Sequence, residues 1–232
     1  MDNNSLKIYL EDGKIKIKGT VNLGYIGSFK DTQIEIKLGL KGLNESEMEL
    51  IEITKESKDI VLFEKINEEA IPECERNSLP DLLSSGAMLT GIYSEGEPAG
   101  FFVTREYGDI KYLAYLAVRS NLRSKGLGGM ALKQLIKEYS DKQVIVEYEA
   151  PNSKDEADDI KARRKNFYKR NGFDETGWFT FYDDTEFEIG CANCPFDIDA
   201  FRSFVEYLSS IISDHIPEPY RKTEHEKKVL EG

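Results

Sequence analysis

The fold is decided between Lys111 and Ser140, KYLAYLAVRSNLRSKGLGGMALKQLIKEYS. The run from Tyr112 to Val118, YLAYLAV, is apolar and of strand length, which predicts a buried strand. Arg119 to Lys125 forms a basic connector, and Gly126-Leu127-Gly128-Gly129 follows it. Beyond the glycines, Leu132, Leu135, Ile136 and Tyr139 recur three and four apart, the spacing of one helix face. Strand, basic glycine loop and helix in that order suit a pyrophosphate. Glycines let the backbone approach a ligand closely, and the free N–H groups at the positive helix end favour an anion. Arg123 and Lys125 add formal charge beside them.

Gly126-x-Gly128-x-x-Ala131 also fits the dinucleotide fingerprint, with Glu147 about 20 residues further on. In that fold the first glycine turns directly off the strand. Here the whole segment Arg119 to Lys125 separates Val118 from Gly126. The Walker-type loop is absent, because no Lys-Ser or Lys-Thr follows a glycine at the required spacing.

The stretch resembles the acyl-coenzyme-A site of the GNAT superfamily of N-acyltransferases. That family carries Arg or Gln, two residues, Gly, one residue, then Gly or Ala, after a strand ending in an apolar-x-Val pattern. Arg123-Ser124-Lys125-Gly126-Leu127-Gly128 matches the first and Leu116-Ala117-Val118 the second. A further match is Phe167-Tyr168-Lys169-Arg170-Asn171-Gly172-Phe173, where a tyrosine stands four residues before a Gly-Phe pair. The resemblance extends over roughly residues 47–191, whose elements read β-α-β-β-β-α-β-α-β-β. The fold class it implies is α+β: a GNAT-like, mostly antiparallel central sheet flanked by helices.

The resemblance implies a direct transfer from acetyl-CoA to a primary amine, with coenzyme A as the leaving group and no metal. Leu116, Ala117 and Val118 would meet the acetyl carbonyl and pantetheine arm through the strand backbone. Arg123, Ser124, Lys125, Gly126, Leu127, Gly128 and Gly129 would cradle the pyrophosphate. Tyr168 would stand near the sulfur; a phenol, with a pKa of about 10, is protonated at neutral pH and can donate to the departing thiolate. The alternative for Tyr168 is a core aromatic beside Phe167. One position departs from the family: Lys161 stands where many members place an asparagine for the pantetheine arm.

An amine must lose a proton before it attacks. Glu147 and Glu149 alternate on the predicted strand Gln143 to Glu149, so both point to one face and either could act as base, or both could be solvated. The Lys161 to Lys165 cluster reads as a solvated helix face or as a contact to the coenzyme's phosphates. Two other functions stay open: an acyl-CoA-binding module without catalysis, and a dinucleotide site at the same glycines.

Composition narrows the field. The chain of 232 residues has a net charge of −12, which argues against nucleic acid or an anionic membrane as the main partner. It suits a cationic acceptor. No leader or membrane span is evident, which makes the cytoplasm the expected location. Its 3 cysteines make no disulfide framework, and Cys191-x-x-Cys194 lacks the further ligands of a structural zinc. Both histidines, His215 and His225, fall in the polar tail, which excludes Ser-His-Asp and Cys-His chemistry inside a site.

Outside the central domain, predicted as residues 46–194, two extensions are expected. Residues 1–45 read as strands, with Asp12-Gly13 turning a hairpin and Ile34 to Leu40 alternating as a further strand. So short a β piece needs a surface to dock on, either the main domain or a second subunit, which leaves a homodimer open. Residues 195–212 read as an amphipathic helix capped by Asp197 or Asp199, and 213–232 as a mobile tail or short exposed helix.

Overall fold

The computed structural model describes residues 7–11, 14–18, 21–22, 28–29, 48–151, 160–182, 184–193, 195–212 and 216–222. The chain divides into two units, Met1–Lys41 and Gly42–Gly232. In the first, strands β1 (Lys7–Glu11) and β2 (Lys14–Lys18) pair antiparallel, from Lys7↔Lys18 to Glu11↔Lys14. Two shorter strands, β3 (Val21–Asn22) and β4 (Ser28–Phe29), pair with each other. The strand expected over Ile34 to Leu40 lies outside the described residues.

The second unit runs β5 (Met48–Ile53), α1 (Ile60–Ala70), α2 (Leu79–Ser84), β6 (Met88–Ser94), β7 (Glu97–Tyr107), β8 (Ile110–Val118), α3 (Leu127–Glu138), β9 (Gln143–Glu149), α4 (Ile160–Arg170), β10 (Asp174–Tyr182), β11 (Thr185–Ala192), α5 (Ile198–Ile212) and β12 (Tyr220–Arg221). Pro72 and Pro80 shape the stretch after α1: a 3₁₀ turn spans Glu73–Glu75, and Pro80 sits in the first turn of α2, where a missing N–H costs nothing. The eight strands form one mixed, mostly antiparallel sheet in the order β12-β10-β11-β9-β8-β7-β6-β5. Only β8 and β9 run parallel, because the α3 crossover joins them.

Strand alternation sorts the helices onto two faces. Val144, Val146 and Tyr148 pack with α3 and with Tyr168 of α4, whereas Ile145 packs with Phe201, Phe204 and Leu208 of α5. On β8, Leu116 and Val118 join the α3/α4 side, and Ala117 joins Phe63 and Leu79 of α1 and α2. With both faces covered, β9 is buried continuously from Gln143 to Val146, and alternation returns only at Glu147 and Glu149. The α5 start is capped by Asp197, whose carboxylate accepts from the N–H groups of Asp199 and Ala200 at 2.9 and 3.2 Å.

The C-terminal tail departs from expectation. Instead of a mobile tail or exposed helix, Ile216 is buried against the α5 core and β12 adds an edge strand to β10, with Trp178↔Arg221 and Phe179↔Tyr220. A two-residue strand leaves no period to read, and the prolines at 217 and 219 favour the extended backbone that such an edge needs. Both histidines and Cys194 lie outside the described residues.

Candidate active site

The site begins where β8 and β9 part. Their parallel ladder runs Ile110↔Gln143, Lys111↔Val144, Tyr112↔Ile145, Leu113↔Val146, and stops. Beyond that point β8 stays paired with β7 as far as Gly100↔Val118, and β9 stays paired with β11 as far as Phe187↔Glu149. The cause lies in β8. Its register against β7 shifts between Val103↔Tyr115 and Thr104↔Leu113, so Ala114 is an extra residue, a β-bulge. A bulge bends its strand and increases the local twist, and this one sits at the last paired residue.

The bulged strand presents backbone groups to the gap. The Arg119 N–H donates to Ala99 O on β7 at 2.9 Å. Backbone groups alternate sides along a strand, so the N–H groups of Val118 and Leu116 face the other edge, where the ladder with β9 has ended. The Val118 carbonyl on that edge accepts from Arg123 Nε at 3.1 Å.

At the end of β8 the chain enters a 3₁₀ turn, Ser120–Leu122, and the Ser120 N–H is held by Glu69 Oε1 of α1 at 2.9 Å. Ser124 and Gly126 then adopt left-handed φ angles of 63° and 92°. The second is natural for glycine, while the first costs a residue with a Cβ roughly 1 kcal/mol. Gly126 caps α3 without any side-chain acceptor, and the first turn contains no acid. The first bond within the helix is Met130 N–H to Gly126 O, which leaves the N–H groups of Leu127, Gly128 and Gly129 as open donors. Arg123, Ser124 and Lys125 are exposed beside them, whereas the Leu127 side chain is buried and anchors the turn.

Gly128 joins the helix start to the gap. A Cβ there would lie 3.4 Å from Phe167 Cζ, 3.7 Å from Val118 Cγ2 and 3.8 Å from Leu116 Cδ2. Strand end, helix start and α4 therefore converge on one point. Gly129 has a packing reason of its own: a Cβ would come within 2.8 Å of Asn171 Oδ1.

Tyr168 lies on this side of the sheet. Its ring stacks on Tyr148 at 5.5 Å and meets Phe167 and Phe173 edge-on, and only 8% of the residue is exposed. Burial pushes the phenol up to about 12, which Arg164 opposes only weakly. Its hydroxyl has no hydrogen-bond partner among the described residues, yet it is not sealed away from solvent.

The two glutamates part company. Glu147 is the first residue of β9 beyond the last rung. Its carboxylate accepts hydrogen bonds from Tyr112 Oη at 2.8 Å, from Thr180 Oγ1 and from Tyr182 Oη at 3.4 Å. Burial raises its pKa above the ordinary carboxylate value, and the hydrogen bonds from Thr180, Tyr112 and Tyr182 counter that shift. Glu149, at the end of β9, pairs instead with Arg164 of α4 at 3.3 Å.

Comparison with known proteins places this geometry. Residues 87–175 match the sequence profile of the acetyltransferase (GNAT) domain. Over those residues the chain resembles a GNAT acetyltransferase domain. No curated protein sequence matches significantly. Among solved structures, a GNAT-family protein from Bacteroides thetaiotaomicron superimposes with a TM-score of 0.57 at 20% identity, covering 72% of this chain and 99% of its own. The ribosomal-protein-S18-alanine N-acetyltransferase of Escherichia coli gives 0.50 at 18% identity, covering 62% and 92%. At these identities the likeness establishes the fold, with the same mixed open sheet.

In the basic cluster of α4, Arg164 and Lys165 pair with acids of the sheet, while Arg163 is exposed. Lys165 bonds Glu188 at 2.7 Å and also pairs with Glu175, and Lys169 bonds Glu175 at 3.1 Å. Lys165 and Arg164 thus tie α4 to acids on β9, β10 and β11. A shallow groove lined by Trp178, Cys191, Asn193 and Arg221 contains none of the predicted site residues. Among the described residues no group of acids, cysteines and histidines is placed to hold a metal ion, and no helix is long and apolar enough to cross a membrane.

The sequence reading missed the Ala114 bulge and the hydroxyl partners of Glu147. Tyr112 was legible only as one apolar position in a strand. Thr180 and Tyr182 reach Glu147 through β11, across more than 30 residues of chain, and no local spacing signals such a meeting.

Proposed function

We propose that this domain transfers an acetyl group from acetyl-CoA to a primary amine by direct attack in a ternary complex. The observation that carries the reading is the parting of β8 from β9 beside the uncapped start of α3. It offers an edge of strand amides to an extended amide-bearing arm and, next to it, open helix amides to a pyrophosphate. Arg123 and Lys125 would supply charge, and the Leu127, Gly128 and Gly129 N–H groups would supply donors. Gly128 leaves room at the point where the strand end and α4 converge on the helix.

Within that frame each residue has a task. The Leu116 N–H, aimed into the gap, would polarise the acetyl carbonyl and stabilise the oxyanion of the tetrahedral intermediate. Tyr168, kept neutral by burial and with no partner for its hydroxyl among the described residues, would donate a proton to the leaving thiolate. Glu147 would take a proton from the incoming ammonium; burial raises its pKa, as suits a base working near neutral pH. Cys191 packs in the α5 core, away from the gap, which favours direct attack over an acyl-cysteine intermediate.

Calorimetric titration with coenzyme A, combined with thiol release from acetyl-CoA across a panel of amines, tests the proposal. Binding with amine-dependent thiol release is expected. Tight binding without turnover on any amine would make the domain an acyl-CoA-binding module, and dinucleotide binding that excludes coenzyme A would overturn the reading.

A further inference from the structure

Glu147 is held in a way the transfer reaction does not by itself require. Two hydroxyls, from Tyr112 and Tyr182, converge on Oε2, and Thr180 takes Oε1. A carboxylate has about four acceptor positions, so one on Oε1 is left. Among the described residues, the surroundings contain no counter-cation. From β8 comes Tyr112, itself packed on Phe204 of α5; from β10 come Thr180 and Tyr182; the residue paired with Glu147 on β11 is Ile189. The neighbouring acid on β9, Glu149, is occupied by Arg164, and among the described residues no lysine or arginine pairs with Glu147. Burying a carboxylate with donors but no cation is costly, and a cationic ligand would remove that cost. The position matters as much as the chemistry, because Glu147 is the first residue past the last β8–β9 rung.

We propose that Tyr112, Thr180 and Tyr182 are positioning residues that hold the Glu147 carboxylate at the parting of β8 and β9 and leave one Oε1 position for the protonated amine of the acceptor. This rests on the acetyltransferase reading above. The acceptor enters as an ammonium ion and supplies the missing counter-charge. Glu147 takes one of its three protons, freeing the nitrogen lone pair to form the C–N bond. The C–S bond breaks, the thiolate takes a proton from Tyr168, and the nitrogen gives up a second proton that restores Tyr168 through solvent. One proton stays on the product amide. The three hydroxyls stabilise the carboxylate over the carboxylic acid and fix its orientation, so they act through Glu147 and need not touch substrate.

The test uses the full chain with ¹³C-labelled glutamate, comparing wild type with Thr180→Val and Tyr182→Phe, and assigning the Glu147 signal through Glu147→Gln. Each variant removes a donor to the carboxylate. Glu147 should then hold its proton to higher pH, and the acidic limb of kcat/KM for the amine should move up by the same amount. Below the limb each variant should be about tenfold slower than wild type, and above it nearly equal. Glu147→Gln should lose the limb and most turnover. A Glu147 signal that titrates as in wild type in both variants overturns the proposal, as does a moved signal with an unmoved limb. Wild-type protein that binds acetyl-CoA but acetylates no amine overturns the transferase reading, and this inference with it. Turnover with an unmoved limb overturns this inference alone.

Discussion

Tyr168 and Glu147 flank the same parted strands from opposite faces, and they are held in opposite ways. Among the described residues Tyr168 is gripped through its ring, by Tyr148, Phe167 and Phe173, and its hydroxyl has no hydrogen-bond partner. Glu147 is gripped through its oxygens, by three hydroxyls. A phenol with no bond at its polar end is packed no better than phenylalanine would be, so its hydroxyl needs another reason to be there. A buried carboxylate with three donors is oriented and kept ionisable. Among the described residues, the α3/α4 face therefore bears an uncommitted phenol hydroxyl, and the opposite face a carboxylate braced by three hydroxyls.

The largest expected effect isolates the α3/α4 face. Gly128→Glu should abolish coenzyme A binding, because its side chain would enter the space bounded by Phe167, Val118 and Leu116 and its charge would repel phosphate. The NMR titration of Glu147 should be unchanged. Normal coenzyme binding by a folded Gly128→Glu protein would remove the cradle from α3.

A smaller effect separates the two grips. Tyr168→Phe should lower kcat by about tenfold to a hundredfold with little change in coenzyme affinity, the low end of general-acid contributions because a thiolate leaves readily. Its melting temperature should hardly move, since no hydrogen bond is lost. Tyr112→Phe should show the reverse emphasis in stability and cost about 1–3 kcal/mol, because it takes a donor from a buried carboxylate. Equal melting temperatures for the two variants, or an unchanged kcat for Tyr168→Phe when chemistry limits turnover, would erase the distinction.

The smallest effect is on alkaline stability. In the unfolded chain Tyr168 loses its proton near its ordinary value of about 10. In the fold, burial holds that proton up to about 12. Between these values the unfolded state binds fewer protons than the folded one, so stability falls as pH rises through the window. Tyr168→Phe should flatten that fall in urea melts, although Tyr112, Tyr148 and Tyr182, also shifted up by burial, keep part of it. An identical slope in the variant would mean that the phenol is not shielded as its packing implies.

What could be read without coordinates was what chain neighbours decide together. The helix start at Gly126–Leu127 follows from glycine and the onset of a 3.6-residue period, and the α4 end follows from Asn171-Gly172, where Gly172 takes a left-handed φ of 98°. Strand β8, the cradle and the position of Tyr168 all lie within such local segments. Other features needed the sheet to assemble. The bulge at Ala114 is a mismatch of register between β7 and β8, so it exists only once both strands are paired. Edge strand β12 is two residues long and is defined by its bonds to β10. Glu147 and Glu149 have the same parity on β9, and the alternation treated them as equals. Tertiary packing made one a carboxylate braced by Tyr112, Thr180 and Tyr182, and the other an ion pair with Arg164. Local spacing fixes which way a side chain leaves its own strand, but its partners arrive from strands distant in the chain, and their chemistry decides what an acid can do.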